Sequence, residues 1–145
     1  GLGLAAPQFH IMETGHFIVG AALTFAIVFS IPASIVAGFE PVPTAARTAV
    51  FLAAMIYIFL RVYIEEVLFR RILAPRLGGL VQAVVFGLFH FTVLSVGGAS
   101  FTAVAFGAFF LALLGYVWWV MSETIGFQAA VGSHFIWNAH AYGVF

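Results

Sequence analysis

Glu65 and Glu66 stand side by side, and Arg70 follows Glu66 by four residues. Positions four apart share a face of a helix, so this spacing predicts a Glu66–Arg70 ion pair. His90 comes four residues after Phe86, and His134 four residues before Asn138. A carboxylate can act as a general base, an imidazole can share or orient a proton, and an amide can donate to a developing oxyanion. Together these are parts for activating a water against a carbonyl carbon. Consecutive helical residues point about 100° apart, so Glu65 and Glu66 are not expected to face the same water. The residues alone leave open which of the two does.

The rest of the chain is close to pure hydrocarbon. Of 145 residues, 64% are hydrophobic and 7% charged, and six of the ten charged residues fall between Arg61 and Arg76. Mean hydropathy is +1.17. An ionised side chain at a bilayer centre costs roughly 2.5–3.5 kcal/mol on insertion scales, so adjacent glutamates in such a helix read as a functional group. Composition excludes an ordinary soluble domain. It predicts an all-α, polytopic membrane bundle of about five transmembrane helices, at about 20 residues per crossing. Zero net charge gives no footprint for nucleic acid. Without cysteine there is no disulfide, no thiolate metal site and no cysteine nucleophile. Residues 1–145 read as a single membrane domain. The chain opens at Gly1 without methionine and closes in an apolar run, so it is expected to be the core of a longer or truncated protein.

The elements that must carry the polar groups follow from hydropathy and breakers. A first helix is expected over His16–Ala37, bent at Pro32, then a connector at Gly38–Pro43 with Thr44 as N-cap. A second runs from about Thr44 to Leu73 and ends before Pro75. After a turn at Arg76–Gly79, a third covers Leu80–Val96 and is closed by Gly97-Gly98. A fourth covers Ser100–Met121, with Trp118-Trp119 as an interfacial belt. Beyond a turn at Ser122–Gly126, the fifth covers Phe127–Tyr142. Arg70, Arg71 and Arg76 around one turn place that turn in the cytoplasm by the positive-inside rule, with the cytoplasmic membrane as the expected location.

Counting from the ends on that side at 1.5 Å per residue, Glu65 lies about 9 Å in from Arg71, His90 about 16 Å from Gly79 and His134 about 12 Å from Gly126. Three segments thus bring ionisable groups to a similar level. Taken singly, each motif has a plain reading. Glu65, Glu66 and Arg70 could mark a snorkelling helix end, His90 a packed histidine, and His134 with Asn138 polar glue between helices. Taken together, they favour a site. His10, His16, His140, Tyr63, Ser133 and Glu123 have no partner at a diagnostic spacing and are assigned no chemical role.

Glu65-Glu66-x-x-x-Arg70, Phe86-x-x-x-His90 and His134-x-x-x-Asn138, in that order over about 75 residues, resemble the three-motif signature of the CAAX-protease and bacteriocin-processing family. This is the Abi group of intramembrane endopeptidases, which includes the type II prenyl-protein protease. The resemblance implies a membrane-embedded helical core and glutamate-dependent hydrolysis of a peptide bond, with Glu65, Glu66, Arg70, His90, His134 and Asn138 as the catalytic set. It favours Glu65 as the base that activates water, with His90 orienting that water. Arg70 then holds Glu66 ionised, and His134 and Asn138 donate to the oxyanion. The implied partner is a membrane-associated peptide or a lipidated protein, and no cofactor is required.

Other protease chemistries find little in the sequence. There is no His-Glu-x-x-His, no Gly-x-Ser-x-Gly and no aspartate. A zinc protease using Glu65, His90 and His134 is an alternative. A non-catalytic membrane subunit of a larger assembly is another. Its phenylalanines and small residues would serve helix packing, and its histidines could ligate haem or chlorophyll.

Overall fold

The computed structural model describes residues 11–28, 47–96 and 98–142, with only the backbone described for 11, 12, 28 and 47–50. The described residues are all-helical, with no strand among them. Helix α1 is Ile11–Val28 and α2 is Arg47–Glu66. A π-helical segment, Val67–Leu73, carries α2 directly into a short α3, Ala74–Leu77. Helix α4 is Gly79–Val96, α5 is Phe101–Thr124 and α6 is Phe127–Ala141. Pro32, the connector 38–43 and Thr44 lie outside the described residues, as does His10.

Several boundaries differ from expectation, and the reasons are local. The chain does not leave its helix before Pro75. Pro75 sits in the first turn of α3, where its missing N–H is not needed. The π segment before it resets the register, the Ala74 N–H reaching the Phe69 carbonyl five residues back. The Arg76 guanidinium donates to the Ile72 carbonyl, satisfying one acceptor in the last turns. Gly78 then ends the run at φ 82°, a backbone that glycine adopts without cost to a Cβ. Helix α1 begins earlier than His16. Helix α5 extends to Thr124 rather than Met121, and the Ser100 hydroxyl caps its start by accepting from the Ala103 N–H.

Helices alternate in direction. Phe86 against Gly115 and Gly79 against Trp119 make α4 and α5 an antiparallel hairpin. Phe59 against Phe135 and Tyr63 against Phe127 run α2 antiparallel to α6. Gly20 against Ala129 and Thr24 against Ser133 run α1 parallel to α6. Two clusters hold the bundle together: Phe69, Phe86, Trp118 and Ala130, and Ile58, Val62 and Val131. The first joins the π segment to α4, α5 and α6. The second joins α2 to α6. The end of α2 is thereby pressed between the middles of α4 and α6.

The outward faces are apolar. Leu80, Val84, Leu88, Val93 and Val96 of α4 are exposed, as are Phe101, Phe106, Phe109 and Leu113 of α5. A largely apolar exterior of this kind is rare on monomeric soluble proteins. Helices α4 and α5 are long and apolar enough to cross a membrane, while Glu13–Ile27 of α1 is a shorter apolar stretch.

Small residues let these helices pack at backbone distance. At Gly132 a Cβ would come within 2.3 Å of the Phe17 carbonyl oxygen, and at Gly20 within 2.0 Å of that of Ala129. Backbone cannot yield there as a side chain can. Gly132→Val should therefore lower the stability of the detergent-solubilised protein by about 1–3 kcal/mol or more, as overpacking does. Gly15→Ala, where a Cβ meets nothing within 4 Å, should leave the melting temperature unchanged or slightly raised. Thermal unfolding of both variants against the parent checks this.

Candidate active site

The site is built around the last turn of α2. Ile58 and Val62 bury one face against Val131 of α6, which fixes the rotation of the helix. Arg61, Glu65, Glu66 and Arg70 follow on the adjoining faces. Glu65 and Glu66 diverge as their helical offset requires, and each carboxylate meets a different arginine. Arg61 Nε donates to Glu65 Oε1 at 2.9 Å. Arg70 Nε lies 3.0 Å from Glu66 Oε2, with both side chains shielded from solvent. The two pairs are Arg61–Glu65 and Glu66–Arg70, each four residues apart and running in opposite order. With both histidines neutral, the four charges sum to zero.

Helices α4 and α6 bring the imidazoles. His90 Nδ1 donates to the Phe86 carbonyl of its own helix at 2.8 Å. A carbonyl can only accept, so in the neutral ring Nε2 is left as an acceptor. His134 Nδ1 lies 2.8 Å from Glu66 Oε1. An ionised carboxylate likewise only accepts, so His134 Nε2 is also left with its lone pair. Both Nε2 atoms point at Glu65 Oε2, from 3.8 Å for His90 and 3.7 Å for His134. That oxygen is buried and has no hydrogen-bond partner among the described residues. Three acceptors facing one another without a donor define a position for a group with hydrogens or positive charge to offer. A water molecule bridges separations of this size.

Aromatic rings wall this position. The indole of Trp118 stacks on the His134 imidazole, with ring centroids 3.9 Å apart and planes 14° from parallel. Its Nε1 donates to Ser133 Oγ at 2.9 Å, and Ser133 also bonds to Thr24 of α1. Phe86 packs on His90 at 4.4 Å and edge-on to His134 at 5.8 Å. The Arg70 guanidinium lies 5.1 Å from the Phe86 ring centre, a cation–π contact inside the bundle. On the other side of Glu65, a cleft of about 380 Å³ is lined by Tyr57, Leu60, Arg61, Ile64, Leu68, Phe69 and Phe89. Leu60, Ile64, Leu68 and Phe89 are also exposed on the outer surface, so the cleft connects Glu65 with the apolar exterior.

The structure brings together Glu65, Glu66, Arg70, His90 and His134. Glu65 faces the shared position, while Glu66 is turned away between Arg70 and His134. Asn138 lies one turn after His134 on α6 and is half-buried, with its amide bonded to neither carboxylate.

Trp118 corrects the expected interfacial belt. It is 2% exposed because its ring covers His134 and its N–H has a partner inside. Ser133, assigned no role from sequence, supplies that partner. Arg61 and Gln82 were not singled out. Arg61 has a visible signal in its four-residue spacing to Glu65. Gln82 stands on the stripe Gln82, Phe86, His90, where each residue is one turn from the next.

No protein-family model, no curated protein and no solved structure matches the chain.

The Glu66–Arg70 pair should dominate the stability of the site. Losing one member of a buried ion pair leaves an uncompensated charge and costs about 3–5 kcal/mol, so Arg70→Met should be strongly destabilising. Adding Glu66→Gln to that variant removes the stranded charge and should recover part of the loss. Arg61→Met should cost about 1 kcal/mol or less, since Arg61 is part-exposed. Unfolding of the three variants in detergent measures these differences. Equal losses for Arg70→Met and Arg61→Met would show that burial does not separate the two pairs.

Proposed function

We propose that the chain is an intramembrane endopeptidase that hydrolyses a peptide bond of a membrane-associated substrate with a glutamate-activated water. The observation that carries this reading is the convergence of Glu65 Oε2, His90 Nε2 and His134 Nε2, from three helices, beside an apolar cleft. A purely structural role explains it poorly. Burying a carboxylate oxygen without a partner is costly, and a packing motif has no use for it. The three-motif resemblance to the CAAX-protease and bacteriocin-processing family supports the same assignment. The alternating helices and apolar exterior support a five-span bundle in the cytoplasmic membrane, with the Arg70–Arg76 turn on the cytoplasmic side.

In this mechanism water occupies the shared position, donating one hydrogen to Glu65 Oε2 and the other to His90 Nε2. Glu65 takes the first proton as the water oxygen bonds to the scissile carbonyl carbon. The Asn138 amide donates to the resulting oxyanion. His134, its Nδ1 hydrogen held by Glu66, accepts at Nε2 and so helps His90 to orient the water. As the C–N bond breaks, Glu65 returns the proton to the leaving amine nitrogen. Arg61 holds Oε1 of Glu65, so that Oε2 is the atom presented. Arg70 balances the Glu66 charge. The walls of the cleft suit an apolar peptide segment, or the lipid-bearing end of a lipidated protein, reaching Glu65 from the bilayer.

Digestion of a hydrophobic peptide library in proteoliposomes tests this reading. Glu65→Gln keeps the side-chain shape but removes the base, and should lower turnover by at least about 10²–10⁴. Asn138→Ala should lower kcat by about 10²–10³ with a smaller change in KM, as loss of one oxyanion donor does. Near-parental hydrolysis by Glu65→Gln would remove that residue from the mechanism.

The same three acceptors also favour a second reading. Glu65, His90 and His134 form a donor set of the kind zinc takes. Among the described residues no three such side chains are already gathered as a metal site, so Glu65, His90 and His134 would have to draw together to hold the ion. Zinc would supply Lewis-acid polarisation of the carbonyl and make the Asn138 amide less critical. The glutamate mechanism expects sub-stoichiometric metal by elemental analysis and activity that survives chelation. About one zinc per chain, with activity lost to chelators and restored by zinc, would decide for the metal.

A further inference from the structure

Gln82 is fully buried in α4, a helix with no charged residue. Its amide is held at both ends. Nε2 donates to the Gly79 carbonyl of its own helix at 2.9 Å and to the Gly115 carbonyl of α5 at 3.4 Å. Two acceptors on that side leave only one orientation of the amide, with Oε1 turned the other way. There it accepts from Arg70 Nη1 at 2.8 Å. Gly115 permits this arrangement, since a Cβ at that position would already press on Phe86 at 3.0 Å.

We infer that Gln82 is a positioning residue for the site, acting through the buried series Gln82, Arg70, Glu66 and His134 to decide which nitrogen of His134 faces Glu65. The guanidinium is placed by two neighbours, the Glu66 carboxylate 3.0 Å from Nε in an ion pair and the Gln82 oxygen bonded to Nη1. Without the second contact it can turn about its bond to Glu66. The Glu66 carboxylate turns with it, and Oε1 leaves the His134 Nδ1 hydrogen. Trp118 does not replace that control. A stacked indole holds the plane of the imidazole but leaves rotation within the plane and the tautomer free. His90 lies outside the series, because its Nδ1 is held by the Phe86 carbonyl.

The inference rests on the proposed hydrolytic reading for its consequence in catalysis, but its geometry can be tested without turnover. The probe is the histidine ring ¹⁵N spectrum of the full chain in detergent, with His90 and His134 assigned by substitution. In the parent, both rings should show a protonated Nδ1 and a bare Nε2. Gln82→Met keeps length and volume but removes the amide. It should give His134 a mixed tautomer pattern and leave His90 as in the parent.

In proteoliposomes the same variant should lose about 10–100-fold in kcat, the range typical of residues that orient a ligating or catalytic side chain. KM should stay within about twofold. A merely structural role for Gln82 would loosen α4 and disturb His90, which shares its helix, at least as much as His134. That result, or an unchanged His134, would overturn the inference. If Gln82→Met does not fold, Gln82→Asn provides the same comparison, as its shorter side chain keeps the amide but cannot span to Arg70. If the parent hydrolyses nothing, the enzymatic reading fails, and the spectra still decide the role of Gln82.

Discussion

The constraint on which the rest depends is that two charges are held inside an apolar bundle, shielded from solvent. Glu66 and Arg70 are both shielded from solvent, and each compensates the other's charge there. Their pairing takes place where α2 widens into a π-helical segment. A π turn is uncommon and is found disproportionately at functional sites. In this chain it buries two consecutive residues, Phe69 and Arg70. Phe69 enters the aromatic cluster with Phe86 and Trp118, while Arg70 turns to Glu66 and Gln82. The segment that carries the charge thus also supplies the hydrophobic contact that keeps it inside.

From that pair follows a division of labour between neighbours. Adjacent carboxylates at one depth would ordinarily repel and compete for a proton. Here Glu66 is neutralised by Arg70 and committed to His134, which leaves Glu65 as the group with an unoccupied oxygen. Glu65 has its own arginine, but Arg61 contacts only Oε1 and is part-exposed. One carboxylate is therefore structural in its bonding and the other is held ready. The difference comes from which face of α2 each occupies, and that is a consequence of their being consecutive.

Much of this was legible in the sequence, for physical reasons that also mark where legibility stops. Four-residue spacing reads directly as a shared helix face, so the Glu66–Arg70 pair and the juxtaposition of Phe86 with His90 could be written down from residue numbers. Rise per residue placed Glu65, His90 and His134 at similar depth, and the structure has both histidines within 4 Å of Glu65. The π segment was not legible, because no local residue pattern announces an extra residue per turn. Without it, Pro75 looked like a helix end, when it opens the next turn of the same run. Trp118 was misplaced because tryptophan near a helix end has two homes, the lipid interface and the core. Only the position of Ser133 on another helix settles which. Gln82 went unnoticed because a neutral amide carries no charge signal, although its stripe with Phe86 and His90 was present.

Small residues and the polar site are two sides of one packing solution. Glycines at 20 and 132 let α1 lie against α6 at backbone distance, which brings Thr24 within reach of Ser133. Ser133 in turn holds the Trp118 N–H, and Trp118 covers His134. A larger residue at either glycine would part the helices and leave the serine, the indole and the imidazole each to find another partner. On the far side, Gly87 lets α4 approach α5, where a Cβ would come within 2.4 Å of the Ala108 carbonyl oxygen. The same hairpin sets the Gly115 carbonyl against Gln82. Such close contacts determine the spacing of the helices. The positions of the polar atoms around Glu65 are thus set by residues that carry no polar side chain at all.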